Sequence, residues 1–288
     1  MAVAQCPASC GELIQGWILG SEKLVSCPIA WYSTVEVCQG KPLAQERQLA
    51  RAMVIRVLQH FNCPPDISRD IRIEIHSTIP VAKGMASSTA DIAATAVATA
   101  HYLGYALDED ELARLCVSIE PTDSTIFHNP TLFAHNDASV SISCPPSPEL
   151  DVLVRESRET LLTREYLRRV RLPARRLGAP TLARAWEKVQ SGCLPNTPAT
   201  IGEAATLSAI ASQALLPKPD FAALLALSEA CGLYGVNVAH SGSVAGLLLD
   251  RTRHDVGYIQ WLLARKNLLR HWPDQHLVRM VSGGVTLQ

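Results

Sequence analysis

The stretch from Pro80 to Asp91, Pro-Val-Ala-Lys-Gly-Met-Ala-Ser-Ser-Thr-Ala-Asp, constrains the fold of this 288-residue chain more than any other. A β-rich run at 71–77 precedes it, and an alanine-rich run from Ile92 to Leu103 follows it. This order predicts a strand, a loop of small and hydroxyl residues, and the start of a buried helix. The first-turn N–H groups of such a helix lack acceptors within the helix, and the helix dipole places partial positive charge there. The stretch is therefore a candidate phosphate-binding site.

The loop composition fits that interpretation but leaves an alternative open. Gly84 allows the backbone to approach an anion closely, and small side chains at 86–90 leave the amide groups uncovered. Ser-Ser-Thr at a helix start is also ordinary capping chemistry, so a structural role is the alternative. The stretch is neither a P-loop, because no lysine follows the glycine region, nor a G-x-G-x-x-G dinucleotide motif.

The composition is that of a globular protein of near-neutral charge. Hydrophobic residues make up 48% of the chain and the formal net charge is −1, so nothing calls for a nucleic-acid or anionic-membrane partner. The first five residues predict no secretory signal, and no run reaches the roughly 18 apolar residues of a membrane span. The nine cysteines are irregularly spaced, which predicts reduced thiols in a cytoplasmic protein, with most cysteines filling the core.

Residue periodicity predicts an α+β chain with its strongest internal breaker at Cys-Pro-Pro-Ser-Pro, 144–148. Domains are therefore predicted at 1–148 and 149–288. The first half is predicted to contain strands at 2–6 and 24–38 with a loop at 7–16 between them, a helix at 43–60, the strand at 71–77, the helix ending at Leu103, a helix at 109–119, and strands at 131–135 and 138–143. The second half is predicted to contain a strand at 151–154, helices at 160–170, 181–190, 199–216 and 219–232, strands at 234–239 and 244–249, a helix at 254–269 and a strand at 276–282.

Three segments of the chain resemble the motifs of the GHMP kinases, the family of galactokinase, homoserine kinase, mevalonate kinase and phosphomevalonate kinase. The second motif, Pro-x-x-x-Gly-Met-Ala-Ser-Ser-Thr-Ala at 80–90, fits the family signature P-x-x-x-G-[LM]-[GA]-S-S-[AT]-[AS]. The first motif is Cys-Pro-Ala-Ser-Cys-Gly-Glu-Leu-Ile-Gln-Gly at 6–16, and the third is Val-Ala-His-Ser-Gly-Ser-Val-Ala-Gly at 238–246. Because they occur in the family's order over almost the whole chain, the chain is identified as a member by resemblance.

The resemblance implies a GHMP kinase fold. Its N-terminal domain is ribosomal-protein-S5-like and binds ATP, and its C-terminal domain is a ferredoxin-like α/β plait that closes the substrate site. Residues 4–17, followed by Cys-Pro-Ile at 27–29, are similar to the bacterial L-threonine kinases of cobalamin assembly and propanediol utilisation within this family. This likeness implies ATP and Mg²⁺ as cofactors and L-threonine as substrate. The product, O-phospho-L-threonine, would supply the aminopropanol phosphate linker of cobalamin. A homodimer is left open.

The motifs also depart from the family pattern. Ser9 stands where many relatives carry a basic residue, Ala86 fills a glycine-type position, and Ser243 and Val244 replace a Gly-x-Gly in the third motif. A missing basic residue argues against a phosphorylated isoprenoid substrate, which would need a cationic pocket. Another GHMP small-alcohol kinase, for homoserine or an isoprenoid intermediate, and a non-catalytic GHMP-like binding protein are the alternatives to a threonine kinase.

The resemblance places the ATP phosphates at the second motif. The candidate phosphate ligands are Lys83, Gly84, Met85, Ala86, Ser87, Ser88, Thr89 and Ala90. Ser88 and Glu120 align with the family's Mg²⁺ ligands, and their oxygens suit a hard cation. A helix cap at Ser88 and a solvated carboxylate at Glu120 are the alternatives, and Lys83 is as readily an exposed charge without a role.

The resemblance also assigns the acceptor side of the site. Asp123 is the candidate base or orienter for the threonine hydroxyl, and capping of the next turn is its alternative. In a loose phosphoryl-transfer transition state the acceptor proton leaves late, so a weak base suffices. The candidate substrate-binding residues are Ser9, Cys10 and Glu12 from the first motif and Ser241, Gly242 and Ser243 from the third. Of these, Glu12 could pair with the ammonium group, with small-residue amides or an arginine for the carboxylate.

Two other features suggest structural roles. His240 is expected to be packed or hydrogen-bonded rather than catalytic. A basic stretch is expected to form a solvated helix and connection, because it lacks the interleaved aromatic residues typical of nucleic-acid binding. The stretch consists of Arg164, Arg168, Arg169, Arg171, Arg175 and Arg176.

Overall fold

The strands of the protein join into a single antiparallel sheet, seen in a computed structural model that describes residues 1–158, 176–194 and 197–288. In these residues the strands are β1 (Ala2–Ile18), β2 (Ser21–Gln39), β3 (Ile71–Ser77), β4 (Thr131–Phe133), β5 (Ser141–Ser143), β6 (Asp151–Glu156), β7 (Gly235–Val238), β8 (Ala245–Leu249), β9 (Asp274–Arg279) and β10 (Thr286–Leu287). Their order is β5-β4-β2-β1-β7-β8-β6-β9, with β3 paired to β2 and β10 to β1. Strands from both halves of the chain thus meet where β1 pairs with β7.

Seven α-helices lie within the described residues and cover this sheet. They are α1 (Gln48–His60), α2 (Ser87–Tyr102), α3 (Glu109–Val117), α4 (Ala179–Cys193), α5 (Pro198–Ser212), α6 (Phe221–Ala230) and α7 (Val256–Arg265). Helix α2 packs on β1 and β2, and α5 packs on β7 and β1. The two helices therefore contact the strand that carries the first motif, one from each half of the chain.

The first motif lies within a strand, so the prediction of a loop at 7–16 is wrong. β1 and β2 form a long hairpin whose turn consists of Leu19 and Gly20, with φ of 49° and 85°. Positive φ at both turn residues matches the twist of the flanking strands. The β1–β2 register shifts three times between Pro7 and Ile14. Such bulges bend the strand, and their small residues resemble a loop in sequence. One consequence is that Glu12 pairs with Val238 of β7, at the edge of the third motif.

The helix predicted at 43–60 begins only at Gln48, because residues before it are tied to the sheet. The Glu46 carboxylate accepts hydrogen bonds from the N–H groups of Leu43 and Ile73, the latter on β3. Helix α2, in contrast, follows the prediction of a buried helix, and most of its residues have little or no exposure. Its alanines explain this, since they permit close packing on all sides.

The second half of the chain largely follows its predicted order. The helices predicted at 181–190, 199–216, 219–232 and 254–269 correspond to α4 to α7. The last predicted strand, 276–282, is shifted to Asp274–Arg279, and β10 has no counterpart in the prediction. The larger hydrophobic core contains residues from both sides of position 148, and the domain boundary there stays a prediction. The helix predicted at 160–170 lies outside the described residues.

Three further sequence expectations can be compared with the structure. Six of the nine cysteines are buried, which confirms that cysteine mostly fills the core. Of the basic stretch, only Arg176 lies within the described residues, where its guanidinium stacks on Trp17 at 4.5 Å from the ring centre. Among the described helices, none has both the length and the apolar character needed to cross a bilayer.

Candidate active site

The three motifs meet through their backbones. The loop before α2 is joined to β1 on one side and to the segment after β7 on the other. Four hydrogen bonds make these contacts. Ser9 N–H donates to the Met85 carbonyl at 3.1 Å and Gly11 N–H to the Gly84 carbonyl at 3.2 Å, while the N–H groups of Ser243 and Val244 both donate to the Lys83 carbonyl, at 2.9 and 3.1 Å. The second motif is therefore fixed between the other two, although each motif comes from a distant part of the chain.

Gly84 is required where the second and third motifs touch. Its φ is +80°, and a Cβ atom there would collide with the Ala239 side chain and stand 3.0 Å from the Gly242 Cα. Gly242 has no room for a side chain either, since its Cβ would overlap the Lys83 carbonyl and the Gly84 backbone. The close approach that these two glycines permit is thus between two segments of the protein.

The same loop directs backbone N–H groups away from those contacts. The carbonyls of residues 83–85 accept hydrogen bonds from the first and third motifs, whereas no backbone hydrogen bond of the described residues uses an N–H group of residues 84–89 as donor. Positive φ at Ala82, Gly84 and Ala86 alternates with ordinary backbone between them. Alternation of this kind turns successive N–H groups to one side, and here they precede and begin α2. The loop thus offers a concave set of donors suited to phosphate oxygens.

A cavity joins this set of donors to acidic side chains. Most residues of the segment 80–89 line one part of it, and the rest is lined by Glu12, Glu120, Pro121, Asp123 and Ser241. An anion held by the N–H groups would therefore face carboxylates. Such an arrangement suits a cation between the two, or proton transfer at the carboxylate, better than it suits a second anion.

Asp123 is held by Thr89, the third residue of α2. Thr89 Oγ1 donates a hydrogen bond to Asp123 Oδ2 and accepts one from the Asp123 backbone N–H, each at 3.2 Å. Burial and then the charge of Glu12 raise the pKa of Asp123 to about 7, the Thr89 hydrogen bond opposes this rise, and Glu120 adds to it. A carboxyl group with a pKa near 7 exchanges protons readily at neutral pH, as a general base must.

Ser88 and Glu120 form a neighbouring pair of oxygen ligands. The Ser88 hydroxyl hydrogen-bonds the Glu120 carboxyl, whose pKa is raised mainly by burial. No group of three or more histidine, cysteine or acidic side chains is arranged to hold a metal among the described residues. One hydroxyl and one carboxylate fit Mg²⁺, which keeps several waters and takes its other ligands from substrate phosphates. The pair therefore suits a metal ion bound together with a nucleotide.

Glu12 is held in place by the third motif. Glu12 Oε2 accepts hydrogen bonds from the His240 backbone N–H and from His240 Nδ1, both at 2.9 Å. His240 Nε2 lies 3.0 Å from Ser208 Oγ, which also accepts a hydrogen bond from the Gln15 N–H. All four residues are buried. His240 is thus packed and hydrogen-bonded, as the sequence predicted, and it orients a carboxylate of the cavity.

Comparison with known proteins identifies the family of this chain. Residues 48–128 match the model of the GHMP kinases N terminal domain. The chain is 68% identical to an L-threonine kinase of Citrobacter freundii, over all of both chains. It is 64% identical to an L-threonine kinase of Salmonella typhimurium strain LT2, over all of this chain and 96% of the relative. The chain is a GHMP kinase.

Solved structures share the fold of this GHMP kinase at low sequence identity. A homoserine kinase from Cytophaga hutchinsonii superimposes with a TM-score of 0.68 at 15% identity, covering 100% of this chain and 97% of that one. A mevalonate kinase from Methanococcus jannaschii superimposes with a TM-score of 0.68 at 16% identity, covering 99% and 98%. These likenesses confirm the expected GHMP kinase fold.

A smaller recess of this GHMP kinase adjoins the cavity next to Asp123. Four residues line both spaces: Glu12, Pro121, Asp123 and Ser241. The recess adds Gln15, Glu22, Leu24, Thr122, His135 and Asn136. Asp123 therefore borders both the space next to the phosphate loop and a second, mostly polar space, which is a candidate position for an acceptor molecule.

Several residues predicted for substrate binding lie behind the cavity instead of in its wall. Ser9 and Cys10 are fully buried, and the Ser9 hydroxyl donates to the Gly11 carbonyl and accepts from the Cys27 N–H. Their contacts support the bulged part of β1. Glu12 is the one predicted first-motif residue that lines the cavity within the described part of the chain.

The predicted residues of the other two motifs divide in the same way. Ser241 lines the cavity, whereas Gly242 packs on the phosphate loop and Ser243 hydrogen-bonds it. Lys83 turns its ammonium group to the Ser157 carbonyl, and Ala90 is buried in α2. Residues 84–89 all line the cavity, as the predicted phosphate ligands should.

Sequence reasoning missed the residues that complete the recess. Gln15 lies within the first motif, so the sequence marked its position, but nothing in the sequence indicated that its side chain faces the site. Glu22, His135 and Asn136 belong to no motif and reach the recess through the β1–β2 hairpin and the segment after β4. The contact between Thr89 and Asp123 was also missed, because it joins residues 34 positions apart.

Proposed function

We propose that this GHMP kinase transfers the γ-phosphoryl group of ATP to the side-chain hydroxyl of L-threonine, forming O-phospho-L-threonine and ADP. The full-length likeness to two L-threonine kinases supports the substrate. The observation that carries the chemistry is that Asp123, with a pKa of about 7, lines both the cavity at the phosphate loop and the polar recess.

The backbone N–H groups of residues 84–89 would bind the ATP phosphates. They are already directed into the cavity before ATP arrives, because the loop carbonyls are occupied by the first and third motifs. Preorganised donors of this kind stabilise the charge that develops on phosphate oxygens during transfer. Ser87, Ser88 and Thr89 add the dipole of α2, whose N-terminus they form.

Ser88 and Glu120 would hold Mg²⁺. Lys83 would help to fix the phosphate loop in place more than it would contact the phosphates directly. The metal ion supplies charge neutralisation between phosphate oxygens in such reactions. Glu120 suits this task because burial already disfavours its charge, so a bound cation relieves an unfavourable state.

Asp123 would accept the hydrogen bond of the threonine hydroxyl and receive its proton as transfer proceeds. The hydroxyl oxygen forms a bond to the γ-phosphorus, and the bond from that phosphorus to the β–γ bridging oxygen breaks, releasing ADP. A loose transition state makes the acceptor proton acidic only late, so a carboxylate base is sufficient. Thr89 fixes the direction of the carboxylate through its two hydrogen bonds.

A coupled ADP-release assay over a panel of alcohols tests this proposal. L-Threonine is expected to give the highest kcat/KM, well above L-serine, L-homoserine and mevalonate, and ³¹P NMR should identify a phosphothreonine product. Assays without acceptor control for ATP hydrolysis. Preference for homoserine would show that the substrate assignment is wrong while the kinase activity is right. Absence of Mg-ATP binding would favour a non-catalytic binding protein.

The biological setting stays a prediction of the sequence. O-Phospho-L-threonine would supply the aminopropanol phosphate linker of cobalamin, in a cytoplasmic enzyme that acts on small molecules. Whether the protein forms a homodimer is decided by measuring its mass in solution.

A further inference from the structure

The recess next to Asp123 contains a buried amide oxygen without a hydrogen-bond partner. Gln15 is 6% exposed and lines the recess, and its Oε1 makes no hydrogen bond within the described residues. Its backbone N–H is engaged by Ser208, so the strand is fixed while the side-chain oxygen is left over. Buried polar atoms are nearly always paired, since an unpaired one has lost its hydrogen bonds to water without replacement. A ligand with an N–H donor would supply that replacement.

Glu12 offers a second acceptor to the same space. Its Oε2 accepts both hydrogen bonds from His240, and no hydrogen bond of the described residues uses Oε1. Glu12 lines the recess together with Gln15, three residues along the bulged part of β1. Glu22 and Asp123 add further carboxyl groups to the lining. Acceptors and negative charge thus dominate this end of the site, and both favour a cationic donor.

We propose that Gln15 and Glu12 bind the α-ammonium group of the acceptor amino acid, with Gln15 acting as a specificity-determining residue. The inference rests on the proposed kinase activity and extends it to the residues that select the acceptor. An ammonium group has three donors, enough for Gln15 Oε1 and Glu12 Oε1 together.

The position of Glu12 explains selection among amino alcohols. Glu12 and Asp123 line both the cavity and the recess, so a hydroxyl at Asp123 and an ammonium group at Glu12 must be close together. In a β-hydroxy amino acid the two groups are on adjacent carbons. In a γ-hydroxy amino acid an additional methylene separates them. The additional rotatable bond means that holding both groups costs more conformational freedom, so the hydroxyl of such an acceptor is positioned at Asp123 less often, and misplacement of a reacting group is costly.

The experiment compares L-threonine with the 2,3-dihydroxybutanoate of matching configuration, in which a hydroxyl replaces the ammonium group. The variant is Gln15→Met, which keeps the size of the side chain and removes its polar atoms. Gln5→Met is the matched control, because Gln5 is on the same strand but outside the cavity and the recess. We measure kcat/KM for each acceptor and KM for ATP, with thermal melting to confirm folding.

Gln15→Met is expected to lower kcat/KM for L-threonine about 10- to 100-fold, the effect of losing a hydrogen bond to a charged group. It should lower kcat/KM for 2,3-dihydroxybutanoate only a few-fold, because that acceptor loses a neutral hydroxyl donor's hydrogen bond in place of a charged one, and it should leave the KM for ATP nearly unchanged. Gln5→Met should change neither acceptor. An equal loss for both acceptors, or none for L-threonine, would overturn the inference. Should Gln15→Met not fold, Gln15→Asn, which withdraws the oxygen by one methylene, serves in its place.

The experiment distinguishes an incorrect substrate assignment from an incorrect role for Gln15. If the wild-type protein prefers another hydroxy amino acid, such as L-serine, the same comparison is made between L-serine and glycerate. Loss of discrimination in Gln15→Met then supports the inference although threonine was the wrong substrate. Equal use of acceptors with and without an ammonium group by the wild-type protein contradicts the inference, whichever acceptor is best.

Discussion

The phosphate side and the acceptor side of the site are built from different chemical groups. On the phosphate side, one continuous segment of small residues presents backbone N–H groups at the start of α2. On the acceptor side, carboxyl, amide and hydroxyl side chains come from β1, the segment after α3 and the third motif: Glu12, Gln15, Asp123 and Ser241. Backbone donors bind any phosphate alike, whereas placed side chains distinguish one acceptor from another. Family members can therefore share the first side and differ in the second.

The base on the acceptor side should show the largest effect. Asp123→Asn removes the proton acceptor while keeping the shape of the side chain, and we expect kcat/KM to fall about 10²- to 10⁴-fold. Binding of ATP should be nearly unchanged, because the phosphate loop is not altered. Asp66→Asn is the control, as that side chain is 81% exposed and remote from the site. A loss of less than about tenfold would show that Asp123 only orients the acceptor.

The metal pair joins the two sides and should show the next largest effect. Glu120→Gln keeps the hydrogen bond to Ser88 but removes the charge, so we expect the apparent affinity for Mg²⁺ to fall about 100-fold. Titration of ADP release with MgCl₂ at fixed ATP measures it, and excess Mg²⁺ should restore part of the rate. Glu187→Gln, on the exposed face of α4, is the control. An unchanged Mg²⁺ requirement would remove Glu120 from the metal site.

Alanine substitutions at two glycines distinguish the effect of backbone strain from the effect of close packing on the phosphate side. Gly84 and Gly104 have similar φ, +80° and +84°, but only Gly84 faces neighbouring atoms where a Cβ would lie. Both Gly→Ala variants should lose about 1–2 kcal/mol of folding free energy through the left-handed backbone. Gly84→Ala should also lower kcat/KM for ATP at least about tenfold, because the loop must move away from the third motif.

Melting temperatures and ATP kinetics, measured together on these two variants, show whether backbone strain or the lost close packing impairs ATP use. If Gly104→Ala impaired ATP use as much as Gly84→Ala, strain alone would account for the loss. The contact between the second and third motifs would then have no role in forming the phosphate side.

Thr89 should give the smallest effect, a change in pH dependence. Transfer requires ionised Asp123, so kcat/KM should fall as the pH drops through about 7. The Thr89 hydrogen bond lowers the pKa of Asp123, so Thr89→Val should raise it and move the acidic limb about one unit to higher pH. Thr89→Ser should restore the wild-type profile. Thr95→Val, which removes a hydroxyl bonded to the Asp91 carbonyl on the same helix, is the control. If Thr89→Val instead raised the KM for ATP and left the pH profile of kcat/KM unshifted, Thr89 would serve ATP binding and not the pKa of Asp123.

The two sides also differ in how well the sequence predicted them. The strand at 71–77 and helix α2 follow from local patterns, since burial and periodicity in one segment suffice to define them. The loop predicted at 7–16 was wrong because bulge residues and loop residues have the same small side chains. The start of α1 was wrong because Glu46 bonds to β3, a contact that no local pattern records.

The sequence by itself determined the family, through three motifs in order, and the residues 84–89 that form the loop before and at the start of α2. Both depend on residues that are neighbours in the chain. The tertiary structure decided which side chains face the acceptor. It places Glu12 rather than Ser9 or Cys10 in the cavity wall, Thr89 against Asp123, and Gln15 in the recess. These placements depend on strand register and bulges, where a shift of one residue exchanges the face that a side chain occupies.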